Sequence, residues 1–173
     1  SFYISTPEDQ YRDLIAVLGN SNNYHWVSDE SIVASNPKVQ SGIEKTRSGG
    51  LAQQAIKSEF WRLGISENYV CLDSDCVFIK PFSRSDFLAA DGNPYTVIYQ
   101  NKEFFQLAIN RKHAKVVSNL QLEGDTVKAL FERVGPNYYC PCPPFIWSAK
   151  VWRSLEDHFL TPRKIDRKST RLN

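Results

Sequence analysis

The stretch Tyr69-Val70-Cys71-Leu72-Asp73-Ser74-Asp75-Cys76-Val77-Phe78-Ile79-Lys80-Pro81-Phe82 sets an apolar run against two carboxylates one residue apart, then resumes with a second apolar run before Lys80-Pro81. Such a run without polar residues is the pattern of a strand buried on both faces. Charges are costly in a core, so two aspartates at the end of that strand are not expected to be buried alone. The economical reading brings Asp73 and Asp75 to the carboxyl edge of a sheet, where α/β proteins place ligands. Hard oxygen donors this close suit Mg²⁺ or Mn²⁺, which in turn can hold a substrate phosphate.

Around this stretch the chain alternates strands with helices. Phe2–Ser5 reads as a strand ending at Thr6-Pro7-Glu8-Asp9, where Thr6 can cap a helix that has proline in its first position. That helix is expected to reach Leu18, to bury Tyr11, Leu14, Ile15 and Leu18, and to stop at Gly19. Tyr24–Val27 reads as a second strand, with Ser28-Asp29-Glu30 capping a helical turn over 31–34. Residues 35–50 read as a long loop, functional or mobile by its length. Leu51–Leu63 is the clearest helix, introduced by Gly49-Gly50 and closed by Gly64. Ala55, Ile56, Phe60 and Leu63 with Leu51 can form its buried stripe, and Gln53 and Lys57 share a face.

Beyond the aspartates we expect a short helix capped near Ser83 or Ser85, a turn at Asp91-Gly92-Asn93-Pro94 and a strand over Tyr95–Tyr99. Residues 105–134 read as two helices separated by Gly124-Asp125, with Val116, Val117, Leu120, Val127, Leu130 and Phe131 on their apolar faces. Tyr138–Pro144 is too rich in proline for a central strand. A strand over Phe145–Trp147 and a last helix from Ala149 to about Leu160, capped by Ser148, complete the domain. These elements predict an α/β layered fold.

The 173 residues are enough for one domain with a substantial core. A hydrophobic fraction of 42% and an aromatic fraction of 13% describe a folded chain. The net charge of +2, with basic residues scattered until the last dozen positions, predicts no nucleic-acid surface. No apolar run approaches the roughly 20 residues that span a bilayer, so any membrane contact is expected to be peripheral. Cys71 and Cys76 are expected to pack as small apolar residues. Cys140 and Cys142 are spaced too closely for a zinc knuckle, and reduced thiols in the cytoplasm are the expected state. The absence of methionine and the abrupt opening on a strand predict a fragment. We take 1–162 as its single domain and 163–173 as a basic tail outside the fold, disordered or non-native.

The segment Gly50–Phe82, with its Gly-Gly, helix, Gly, strand and Asp73-Ser74-Asp75, resembles nucleotide-sugar glycosyltransferases of the GT-A fold, in particular a poorly characterised bacterial family. The likeness continues more weakly through Pro143–Ser148 and the helix after it. It implies a Rossmann-like, mixed and mainly parallel sheet flanked by helices, here lacking its first strand. It further implies hexosyl transfer from a nucleoside diphosphate sugar to a glycan or other hydroxyl acceptor, in bacterial polysaccharide biosynthesis, by a cytoplasmic protein at most peripheral to the inner face of the membrane. By the same resemblance Asp75 would be the direct ligand of Mn²⁺ or Mg²⁺, and Asp73 would lie nearer the ribose and donor sugar.

Lys57 is then a candidate for a donor phosphate or sugar hydroxyl, against the ordinary fate of an exposed helix lysine. Gln53, Gln54 and Ser74 are candidates for polar contacts, and Trp147, with Phe145, for a stacking wall under a sugar. Asp29 is better explained as part of a helix start. The resemblance implies a further metal ligand from late in the chain, where His158 stands, but His158 lies in the final helix and is expected to be exposed. His25 and His113 lack a partner motif, and none of Glu123, Asp125 and Asp157 is singled out as a catalytic base.

Two further readings use the same residues. Phosphatases of the haloacid-dehalogenase superfamily also place Asp-x-Asp after an apolar strand, with the first aspartate, here Asp73, as nucleophile. Their motif opens the domain, whereas about 70 residues precede it here. The other is a sugar- or nucleotide-binding module without catalysis, since a fragment would lack parts of the enzyme.

Overall fold

A computed structural model describes residues 1–37, 39–40, 49–139 and 144–164. The fold is mixed α/β, with four strands among the described residues paired as two two-stranded sheets. Its described residues divide into two compact units, one formed by residues 1–69 with 147–164, the other by 70–146.

The first unit opens with β1 (Tyr3–Thr6) and β2 (His25–Ser28), which run parallel with Tyr3 opposite His25 and Thr6 opposite Ser28. A parallel pair needs a crossover, and α1 (Tyr11–Leu18) supplies it. Gly19, at φ 71°, ends α1 by donating its N–H to the Ile15 carbonyl at 2.9 Å, a conformation that favours glycine. The expected cap at Thr6 does not form. Its hydroxyl accepts from the Trp26 indole at 2.9 Å instead, and the chain enters α1 through a 3-10 turn over Glu8–Gln10. The expected stripe on α1 is also narrower: Leu14 and Ile15 are half-buried, while Tyr11 and Leu18 are exposed.

Ser28 closes β2 and caps α2 (Asp29–Ala34), accepting the Ser31 N–H at 3.1 Å and donating its hydroxyl to Glu8 at 3.0 Å. That cap sends Ile32 and Val33 into the core, where they are 1% and 6% exposed. α3 (Gly49–Glu59) tightens into a 3-10 turn over Phe60–Leu63 and stops at Gly64, φ 66°. Most of the expected loop 35–50, residues 38 and 41–48, lies outside the described residues, as do Cys140–Pro143 and the tail from 165.

β3 (Asn68–Cys71) and β4 (Phe145–Ser148) form the second sheet, and α6 (Ala149–Leu155) follows, with the Ala149 N–H on the Glu67 carbonyl at 2.8 Å. Within the first unit an aromatic series links these pieces. Tyr3 meets Phe60 at 5.9 Å, Phe60 meets Tyr69 at 5.1 Å, Tyr69 meets Trp147 at 6.1 Å, and Trp147 meets Trp152 at 5.0 Å. Offset and edge-on contacts of this kind each add about 0.5–1.5 kcal/mol beyond the area they bury.

The second unit departs further from the sequence pattern. β3 is half-buried along its length, not enclosed on both faces. Val77 and Ile79, in the second apolar run, form no strand and are 82% and 96% exposed. Phe78 and Phe82 stack at 4.1 Å, with Phe87 edge-on to Phe82 at 5.5 Å. Ser83 caps the 3-10 turn Arg84–Asp86 with a capping box, as expected. The backbone and side-chain hydrogen bonds from Ser83 hold the Asp86 carboxyl below its ordinary range. The turn at Asp91–Pro94 also forms, with Gly92 at φ 82°. Tyr95–Tyr99 does not become a strand: the Tyr95 N–H bonds to the Phe87 carbonyl at 2.9 Å beside the Leu88–Pro94 bridge, and Tyr99 forms an isolated antiparallel bridge with Tyr139.

α4 (Lys102–Asn110) and α5 (Ala114–Leu130) are separated at residues 111–113, where Lys112 takes φ 63°, and not at Gly124-Asp125. Gly124 lies inside α5 because the Asn137 side chain crosses it. A Cβ there would sit 2.7 Å from Asn137 Cγ. The Asn137 amide is fixed by donating to the Gln121 carbonyl at 3.3 Å and to Asp125 at 3.0 Å. Helix propensity alone favours alanine over glycine by about 1 kcal/mol, and the overlap costs about 1–3 kcal/mol. Gly124→Ala is therefore expected to lower the melting temperature in the wild-type background and to be neutral or stabilising in an Asn137→Ala background. A stabilising Gly124→Ala in the wild type would refute this account.

Candidate metal centre

The acidic motif sits directly after β3. Leu72 leaves the strand, and a turn closed by the Cys76 N–H on the Asp73 carbonyl at 3.0 Å reverses the chain. Asp and Ser are common turn formers because their short polar side chains bond to nearby backbone. The turn gathers one ligand atom each from Asp73, Asp75 and Cys76 within 4.8 Å of one another. Asp73 is half-buried, while Ser74, Asp75 and Cys76 are exposed. Two carboxylates at that separation repel by on the order of 1 kcal/mol even at the dielectric of water, and a divalent cation between them would reverse the sign. Paired carboxylates fit Mg²⁺ or Mn²⁺, and the thiol adds a softer donor.

Cys76 corrects the sequence reading, which placed it in a core. It is exposed because the run that follows it, Val77–Ile79, is not covered. Its proximity to both aspartates could have been anticipated from the turn that Asp-Ser-Asp favours.

The remaining candidates belong to the first unit. Gln53 and Gln54 are exposed on α3, and Lys57, one turn after Gln53, is half-buried and accepts the Tyr69 hydroxyl on its carbonyl at 3.5 Å. Trp147 lies in the aromatic series between Tyr69 and Trp152. His25 stacks on Tyr3 at 4.9 Å, and His113 and His158 are exposed.

Asp29 stands in the first turn of α2 and accepts a hydrogen bond from the Ser5 hydroxyl. Burial pushes its carboxyl above the ordinary 3.8, against the Ser5 bond and with help from the Glu30 charge. Between 3.8 and that raised value the folded chain holds the proton more tightly than the unfolded one, so stability falls as pH rises through this window. Asp29→Asn is expected to flatten that part of the stability curve, measured by urea denaturation across the window. Parallel curves for the two proteins would contradict this.

One polar cluster escaped sequence reading. Glu59, fully buried at 0% exposure, accepts from the Asn36 amide at 3.0 Å and from Arg62 Nε at 2.5 Å. Arg62 also pairs with Glu156 and lies 4.5 Å from the centre of the Trp61 ring, with Arg153 at 5.8 Å from the same ring. Burial works against the Arg62 charge, but the bonds and charges of Glu59 and Glu156 outweigh it and raise its pKa. The three-residue spacing of Glu59 and Arg62 on one helical face was the available signal.

Comparison of the chain with protein families, with curated proteins and with solved structures finds no match.

Proposed function

We propose that the chain is part of a metal-dependent glycosyltransferase of the GT-A type, acting on a nucleoside diphosphate sugar and a hydroxyl acceptor. The observation that supports this reading is the convergence of Asp73, Asp75 and Cys76 in a turn at the carboxyl end of β3. In this reading Asp75, exposed, is the main ligand for Mn²⁺ or Mg²⁺, and Asp73 completes the pair. A cation held there would supply Lewis-acid stabilisation to a departing diphosphate. Asp73 and Asp75 would hold it, and Ser74 beside them offers a hydroxyl to the donor; Lys57, Gln53 and Gln54 are candidates for phosphate or sugar hydroxyls by the resemblance alone, since they belong to the first unit. Trp147 is the candidate aromatic surface for a sugar.

The test is a thermal-shift panel of UDP, GDP, CDP and their sugars on the protein, with and without Mn²⁺. A ligand at a hundred times its Kd stabilises by about 2.7 kcal/mol, a rise of several degrees for a chain of this size. The expected result is such a rise for one nucleotide series, in the presence of the metal only. Hydrolysis of a phosphomonoester with transient phosphorylation of Asp73 would instead establish the phosphatase chemistry and overturn the proposal.

A further inference from the structure

A second feature lies elsewhere in the 70–146 unit, beside the start of α4. A wide, largely open cleft of about 910 Å³ lies there, lined by Tyr99, Gln100, Asn101, Phe104, Leu120 and Tyr139 beside Lys102 and Glu103. Two of its rings are tied together: the Tyr99 N–H donates to the Tyr139 carbonyl at 3.0 Å, and the Tyr139 N–H returns the bond at 2.8 Å. Tyr139 is fixed further by its hydroxyl on the Leu120 carbonyl at 3.3 Å and by an edge contact with Phe105 at 5.6 Å. Phe104 and Tyr99 remain 45% and 41% exposed.

Asn101 adds a second peculiarity. It precedes α4 in the left-handed conformation, φ 58° and ψ 22°, and its side chain makes no capping bond. A cap asparagine ordinarily gives its side-chain oxygen to the first-turn N–H groups. Here the side chain makes no capping bond to the helix it precedes, and Asn101 is among the residues that line the cleft.

We propose that this cleft binds a saccharide unit. The apolar C–H face of a sugar ring suits an aromatic wall. Vicinal hydroxyls donate and accept at once, and so do the amides of Gln100 and Asn101. Lys102 and Glu103, adjacent at the rim, carry opposite charges, so the cleft offers no excess charge to draw a phosphate or a polyanion. Saccharide binding here needs neither metal nor nucleotide. Only its role as the seat of an acceptor rests on the glycosyl-transfer reading above.

The test is saturation-transfer NMR on the whole chain without metal, using the methyl glycosides of glucose, galactose, mannose and N-acetylglucosamine, with uridine and adenosine as controls. Transfer to ring C–H protons of at least one glycoside is expected. Its affinity should fall about tenfold in Phe104→Ala and in Gln100→Ala, both first matched to the wild type by far-UV circular dichroism. If one variant misfolds, the other carries the comparison. Silence from every glycoside, binding of the nucleosides only, or unchanged affinity in a folded variant would overturn the proposal. The Mn²⁺-dependent nucleotide shift would stand or fall separately, since it depends on Asp73 and Asp75.

Discussion

Exchange of Arg62 for methionine is expected to lower the unfolding free energy by about 2–4 kcal/mol, read as a clear fall in the urea midpoint. Arg62 joins two carboxylates, Glu59 at the end of α3 and Glu156 after α6. Breaking a buried pair by removing one partner costs about 3–5 kcal/mol, because a charge stays behind in low dielectric. The Arg62 side chain is 19% exposed, so some solvent screening lowers that figure. Methionine keeps much of the stem's packing on Trp61, which isolates the charge effect. The double variant Glu59→Gln, Arg62→Met should recover a large part of the loss, since no buried charge then remains at position 59. The single-variant cost should persist at high salt, unlike that of a surface pair. A midpoint shift equivalent to less than about 0.5 kcal/mol, the range of ordinary surface substitutions, would show that the cluster does not stabilise the fold.

The second large effect is functional. Asp75→Asn is expected to weaken Mn²⁺-dependent nucleotide binding by about a hundredfold or more, since changes one shell farther from a metal already cost 10–100-fold. The fold should be unaffected without metal, because Asp75 is exposed and its neutralisation relieves repulsion with Asp73. Asp73→Asn should act in the same direction on binding. It is half-buried, so its melting temperature needs to be measured alongside. Unchanged nucleotide affinity in Asp75→Asn would remove the metal role from this turn.

Several local signals in the sequence held, although the side-chain caps expected at Thr6 and Ser148 do not form. Ser28 caps α2, Ser83 forms a capping box, and Gly19 and Gly64 stop their helices, because each of these devices is closed within three or four residues. The alternation of β1, α1, β2 and the later strands likewise follows from hydrophobic period. Features that depend on distant partners were not legible. Tyr95–Tyr99 has the composition of a strand but bonds at its two ends to different segments, Tyr95 to Phe87 and Tyr99 to Tyr139, without one neighbour to complete a ladder. Gly124 looks like a helix breaker, yet it is the one residue that lets Asn137 lie across α5. Glu59 is of a type that is seldom buried, and its bonds to Asn36 and to Arg62, which pairs in turn with Glu156, account for its place. At the candidate site, the two aspartates were visible from their place behind an apolar run. The exposure of Cys76 was not, because it depends on what covers Val77–Ile79.

The division of the chain into two units also sorts its chromophores. Trp26, Trp61, Trp147 and Trp152, all four tryptophans of the protein, fall in the first unit, and the second carries only tyrosine and phenylalanine. Selective excitation of indole therefore follows the loss of one unit alone, and the emission of Trp61, stacked under Arg62, follows the charge cluster within it. Far-UV circular dichroism follows the helices of both. Coincident melts by the two probes would mark the chain as one cooperative block, and separated melts would mark two. The native sequence thus contains a site-selective optical reporter, with no label to attach.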